Sequence, residues 1–155
     1  MSKRVIACCL LIALSSEMAF AGLGSKKVMY VGGTATAISE RTEGTTTTKD
    51  EKEYVFTYPG GKLSIPYDQV DSLEYGQKAG RRVGLAVAIT PFALFSKKRK
   101  HFLTISWKDE DDKQQAVVLE LGKDIVRTEL ATLEARTGRK IEYQDDEARH
   151  AGKGN

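Results

Sequence analysis

The chain has 155 residues, with 24 Lys and Arg against 21 Asp and Glu, a formal net charge of +3, and 41% hydrophobic residues. That is the length and composition of one globular domain, and a charge so near neutrality excludes bulk electrostatics as a reason to bind nucleic acid, leaving only local clusters. Both cysteines, Cys8 and Cys9, stand near the N-terminus, so the chain beyond them has no disulfide, no cysteine nucleophile and no cysteine-ligated zinc or iron–sulfur cluster.

Lys3 and Arg4 precede an unbroken apolar run over residues 5–14, and Ala19-Phe20-Ala21 follows as a small-x-small cut site. A basic start, a short apolar stretch and such a site are the parts of a secretory signal. The apolar run is too short to span a bilayer, which takes about 20 helical residues. Residues 1–21 therefore read as a signal peptide cleaved between Ala21 and Gly22, and the working protein as exported, periplasmic or secreted. Val5-Ile6-Ala7-Cys8 loosely resembles a lipobox, but the apolar run continues past Cys8 and only three apolar residues precede it, which ranks lipidation below simple cleavage.

Beyond Gly22 the apolar pattern is mostly of period two, the mark of half-buried strands. Residues 28–38 read as a strand bent at Gly32-Gly33, and Thr45 to Thr48 as a loop or an exposed edge strand. Residues 54–58, with three aromatics, form a strand ended by the turn Pro59-Gly60-Gly61. Leu63, Ile65 and Tyr67 alternate with Lys62, Ser64 and Pro66; Pro66 breaks that strand, and residues 70–75 resume it. Residues 101–108 put Leu103, Ile105 and Trp107 on one face, and the acidic turn Asp109-Glu110-Asp111-Asp112 leads into Val117, Leu119 and Leu121 on the next strand, a hairpin.

The period then changes. Val126, Leu130 and Leu133 follow i, i+4, i+7, with Ile125 widening the stripe of a helix; Asp124 and Arg136 suit its two ends, and Gly138 stops it. Residues 141–143 add a short extended piece, and 144–155 read as a disordered polar tail. The domain thus spans 22–143: about seven short strands and one amphipathic C-terminal helix, mainly β with α, a small antiparallel β-barrel or sandwich closed by that helix.

The element order, with Gly61-Lys62-Leu63-Ser64-Ile65-Pro66-Tyr67 leading into Val70 and Leu73-Glu74-Tyr75 ahead of the hairpin and helix, resembles the pleckstrin-homology-like barrel. Most of the chain beyond the signal is also similar to small secreted bacterial proteins of uncharacterised function, which share stretches like Leu73-Glu74-Tyr75-Gly76-Gln77-Lys78-Ala79-Gly80-Arg81-Arg82 and Phe95-Ser96-Lys97-Lys98-Arg99-Lys100-His101. The resemblance implies a fold and carries no ligand with it.

One stretch does not fit a plain barrel. Residues 84–95 are apolar apart from Thr90, contain Pro91, and are flanked by Arg81 and Arg82 before and Lys97, Lys98, Arg99 and Lys100 after. As a helix the stretch would reach about 18 Å, short of the roughly 30 Å of bilayer hydrocarbon. An apolar helical or loop insertion around 80–96 is therefore expected, and three roles stay open for it: core packing, partner binding, or contact with a membrane surface. In the last, Phe92 and Phe95 among others enter the interface while six basic residues meet anionic head groups, worth at most about 6 kcal/mol, a dissociation constant of tens of micromolar. Gly76, Gly80 and Gly84 make a tight-turning lead-in. The candidate interaction surface is thus Arg81, Arg82, Phe92, Phe95, Lys97, Lys98, Arg99, Lys100 and His101.

No motif for chemistry emerges. Ser64, Ser72, Ser96 and Ser106 lack a Gly-x-Ser-x-Gly frame, no phosphate-binding glycine loop is present, and the two histidines, His101 and His150, are far apart in sequence. Asp109, Asp111 and Glu120 fit positions 1, 3 and 12 of a calcium loop, but Lys113 and Gln114 occupy positions 5 and 6, so the loop fails. His101 beside four cations suits a structural role, and Asp68, Asp71 and Glu74 read as solvent-side alternation. The expectation is a non-enzymatic binding or scaffolding module of the bacterial cell envelope with no metal or cofactor. Its partner is an envelope protein or, as the alternative, an anionic membrane surface; an enzyme of unknown class ranks third. Nucleic acid is disfavoured by export and by the lack of a wide basic surface with stacking aromatics.

Overall fold

The computed structural model of the protein describes residues 26–77 and 100–153. The expected signal peptide, the expected 80–96 insertion and the candidate residues Arg81, Arg82, Phe92, Phe95, Lys97, Lys98 and Arg99 lie outside the described residues. Eight strands form one sheet: β1 (Val28–Gly33), β2 (Glu43–Thr47), β3 (Glu53–Tyr58), β4 (Gly61–Pro66), β5 (Val70–Gly76), β6 (His101–Lys108), β7 (Gln114–Leu121) and β8 (Ile141–Tyr143). Their order is β4-β3-β2-β1-β7-β6-β5-β8. Two antiparallel meanders, β1 to β4 and β5 to β7, are joined where β1 pairs with β7, Val28 opposite Leu121 and Tyr30 opposite Leu119.

The expected closed barrel is corrected to an open, mixed sheet. The free edge of β5, which closure would need for β4, is taken by β8 running parallel to it, Leu73 opposite Ile141 and Tyr75 opposite Tyr143. The two meanders still share one core, since Tyr54, Phe56 and Ile65 belong to the same buried cluster as Leu103, Ile105 and Leu119. Residues 45–47 are neither loop nor edge: β2 is an interior strand between β1 and β3. The bend near Gly32 is present as a register shift between Tyr30 and Gly32, and β1 ends there instead of at Ile38.

The turns follow from local chemistry. Tyr58 pairs with Gly61 across Pro59 and Gly60. In the β6–β7 hairpin the Asp109 carboxylate organises the acidic turn: Oδ1 accepts from the backbone N–H of Asp111 (3.0 Å) and Lys113 (2.9 Å), and Oδ2 from Gln115 Nε2 (2.7 Å). Those donors hold its carboxyl below the ordinary value. Alternation on the hairpin is as read, with Leu103, Ile105, Val117 and Leu119 fully buried. The opposite face is buried as well: Phe102, Thr104, Ala116, Val118 and Glu120 are at most 7% exposed.

Helix α1 (Val126–Thr137) buries Val126, Glu129, Leu130 and Leu133. The three apolar side chains contribute roughly 1.5–3 kcal/mol each. Asp124 precedes the helix and lies outside its first turn. Gly138 ends it with φ 68°, its N–H donating to the Glu134 carbonyl at 3.0 Å, as the left-handed stop requires. Glu134 Oε1 then accepts from the Ile141 N–H (2.8 Å), and Arg139 Nε donates to the Val70 carbonyl (3.0 Å). These two bonds bring the chain back beside β5.

Residues expected to fray instead form a second helix, α2 (Asp146–Lys153). Asp145 Oδ1 accepts from the Ala148 N–H at 2.7 Å, an N-cap geometry. Its small residues bring it close: Ala148 is fully buried, and a Cβ on Gly152 would lie 2.7 Å from Tyr143 Cε1 and 3.0 Å from Leu130 Cδ1. A polar composition concealed the docking because small side chains, with little apolar surface, make the contact.

Candidate functional site

The sequence places its candidate surface on the connection between β5 and β6. Pairing of these strands runs from Val70 opposite Trp107 to Gly76 opposite Phe102. Strands so aligned can be joined by a hairpin loop of 2–5 residues, yet residues 77–100 intervene. The junction itself is built by Tyr75 from β5, His101 at the start of β6, Glu120 from β7, and Lys100 just before β6.

Of the candidate residues, Lys100 and His101 are described, and both are engaged. Lys100 Nζ donates to Glu120 Oε2 at 2.8 Å, with the two side chains 22% and 8% exposed. Glu120 lies opposite Phe102 on the sheet face turned away from the core. Lys100, one of the six cations expected to meet anionic head groups, thus also neutralises a buried carboxylate.

His101 Nδ1 lies 2.5 Å from the Tyr75 hydroxyl, and the rings stack at 6.1 Å and 14°. Burial pushes the Tyr75 phenol well above its ordinary value, with Tyr143 adding to the shift. Burial likewise lowers His101, against the opposing pull of the Glu120 charge. At neutral pH both groups are therefore uncharged, the phenol donating and Nδ1 accepting. Desolvation, more than the neighbouring cations weighed in the sequence, disfavours the imidazolium.

Tyr75 also meets Tyr143 edge-on at 6.0 Å, and Lys153 Nζ lies 5.5 Å from the Tyr143 ring centre. The Gln144 N–H donates to the Tyr75 carbonyl, and Gln144 Nε2 to Glu74 Oε1, both at 3.0 Å. The junction is thus tied to β8 and α2, elements whose role the sequence did not reveal. Aromatic residues at Tyr75 and Tyr143 were the available signal.

At the other end of β6 a groove of about 670 Å³ between the 3₁₀ turn Tyr67–Gln69 and the β6–β7 hairpin is bordered by Glu53, Asp68, Asp109, Glu110 and Asp112 beside Trp107 and Lys108. Among the described residues no group of three or more His, Cys, Asp or Glu is arranged to hold a metal. No described helix is long and apolar enough to cross a membrane. Asp71 and Glu74 accept from Gln114 and Gln144 respectively, so these carboxylates serve sheet packing.

No protein-family model matches the chain, and no curated protein matches it.

Proposed function

We propose that the protein is an exported, non-enzymatic binding or scaffolding module of the bacterial cell envelope, and that the segment joining β5 to β6 is its interaction element. The observation that carries this reading is the pairing of Gly76 with Phe102. A long connection stands where the sheet needs only a short turn, and long connections in compact domains are commonly functional or linking segments. Its apolar stretch, residues 84–95 with Phe92 and Phe95, suits an apolar site on a protein partner. The ties of Tyr75, His101, Lys100 and Glu120 support a rigid base from which such an element would act.

Two meanders followed by a helix also support kinship with the pleckstrin-homology-like fold, with β8 and α2 as additions. The test is a photo-activated cross-linker placed at Phe92 or Phe95 in cells. A discrete adduct with one envelope protein is expected from those positions and none from Glu110, at the exposed turn. Equal labelling from all three would end the proposal.

The basic residues Arg81, Arg82, Lys97, Lys98 and Arg99 of the β5–β6 connection favour attachment to an anionic membrane as the second reading. The acidic groove would be repelled from such a surface. These five cations, counted without Lys100, are worth about 5 kcal/mol at most. Co-sedimentation with anionic but not neutral vesicles, lost at high salt, is the expected result; no binding at low salt would remove this reading.

A further inference from the structure

The inner stripe of α1 is Val126, Glu129, Leu130 and Leu133, and all four are buried. One member is a carboxylic acid. Glu129 is 7% exposed, and its Oε1 accepts from Thr46 Oγ1 on β2 at 2.9 Å. Its Oε2 is buried with no partner, as are the hydroxyls of Tyr54 on β3 and Tyr67 in the 3₁₀ turn. These groups face one another: Glu129 and Tyr67 both act electrostatically on Tyr54, and Glu129 on Tyr67. The Tyr54 hydroxyl is near enough to Glu129 to offset part of the effect of burial on the carboxyl, although neither it nor Glu129 Oε2 completes a well-formed hydrogen bond.

The charges around the cluster do not compensate the acid. Arg136, on α1 itself, and Asp50, in the β2–β3 connection, act on Tyr67 with opposite signs. The charged residues of α2, Asp146, Glu147, Arg149, His150 and Lys153, are exposed. An ionised carboxylate has only acceptors to offer, and here it would be buried with the Thr46 and Tyr54 hydroxyls and, among the described residues, without a cation in contact, an arrangement proteins avoid. A neutral carboxyl gains an O–H donor, for which the Tyr54 and Tyr67 oxygens are unfilled acceptors.

We propose that Glu129 is a proton-operated latch, holding α1 against the sheet while its carboxyl is neutral and loosening that helix as it ionises. Burial raises the Glu129 proton affinity above the ordinary value, with Thr46 and Tyr54 opposing part of the shift. The folded state therefore binds the proton more tightly than the unfolded chain. Stability is fullest below the ordinary glutamate value of 4.5 and declines as pH rises through the folded value, by at most about tenfold per pH unit in the unfolding constant.

The test is urea unfolding of the protein and of Glu129→Gln from pH 4.5 to 8.5. The two should nearly coincide at the acid end, and the unfolding constant of the unsubstituted protein should rise relative to the variant as pH increases above 4.5. A difference that does not change with pH overturns the latch. Two measurements on the unsubstituted protein stand independently of how well the variant folds. The ¹³C resonance of the Glu129 carboxyl should titrate above 4.5, and the amide-exchange protection of Leu130 and Leu133 should fall as it does. Titration at or below the ordinary value, or protection indifferent to it, contradicts the proposal.

Discussion

Two ion pairs of nearly equal length allow burial to be isolated as the variable. Lys100–Glu120 is 2.8 Å with side chains 22% and 8% exposed, whereas Lys27–Glu43 is 2.9 Å with side chains 56% and 48% exposed. Exposed pairs are worth about 0.2–1 kcal/mol because water and salt screen them. Removing one partner of a fully buried pair costs about 3–5 kcal/mol, since the other charge is stranded. Lys100 keeps some exposure, so Lys100→Met should cost about 2 kcal/mol, between those limits. The assay is a double-mutant cycle by urea unfolding at pH 7, with Lys100→Met, Glu120→Gln and the double variant, beside the equivalent cycle at Lys27 and Glu43. A coupling of about 1–2 kcal/mol is expected at the buried pair and below about 0.5 kcal/mol at the exposed one. In 1 M salt, where the Debye length is about 3 Å, only the first should persist. Equal couplings, or loss of both in salt, would refute the reasoning.

Two further perturbations probe other parts of the structure. Gly138→Ala should cost about 1 kcal/mol, the strain of a Cβ in the left-handed region; no atom lies within 4 Å of the added carbon, so a larger loss in urea midpoint would indicate a contact the structure does not contain. His101 is lowered from 6.5 chiefly by burial, so the folded state binds its proton less tightly than the unfolded chain. Its contribution is complete above pH 6.5 and is lost as pH falls through the folded value. Relative to His101→Asn, the unsubstituted protein should lose stability as pH falls below 6.5, and a pH-independent difference would exclude this account of His101.

How much of this was readable in the sequence depended on how much apolar surface each element carries. The β6–β7 hairpin and α1 announce themselves because Leu103, Ile105, Trp107, Val117, Leu119, Leu130 and Leu133 repeat at the period of their element. α2 did not, since Ala148 and Gly152 dock by being small. Sheet closure was misjudged because Ile141, Glu142 and Tyr143, read as a short extended piece, take the edge of β5, a parallel pairing that three residues of sequence do not specify. Within the candidate site, His101 was legible at the start of its strand, but its partner Tyr75 was not, being set by a strand pairing that the sequence does not number. Glu129 was overlooked although a signal existed: it falls at i+3 of the Val126, Leu130, Leu133 stripe, where a charge has no solvent to face.

The central claim is that the sheet and its helices stand as a folded base while the β5–β6 connection makes the contact. Replacing residues 78–99 with Asn-Gly separates the two, because Gly76 and Phe102 are already paired for a short turn. The decisive measurement is co-fractionation of this variant with isolated envelopes, once its cooperative urea unfolding has been verified. The account predicts a folded variant that leaves the envelope fraction while the unsubstituted protein remains there. A variant that fails to fold would make the segment part of the core, and a folded variant that stays bound would place the interaction elsewhere on the sheet; either result contradicts the claim.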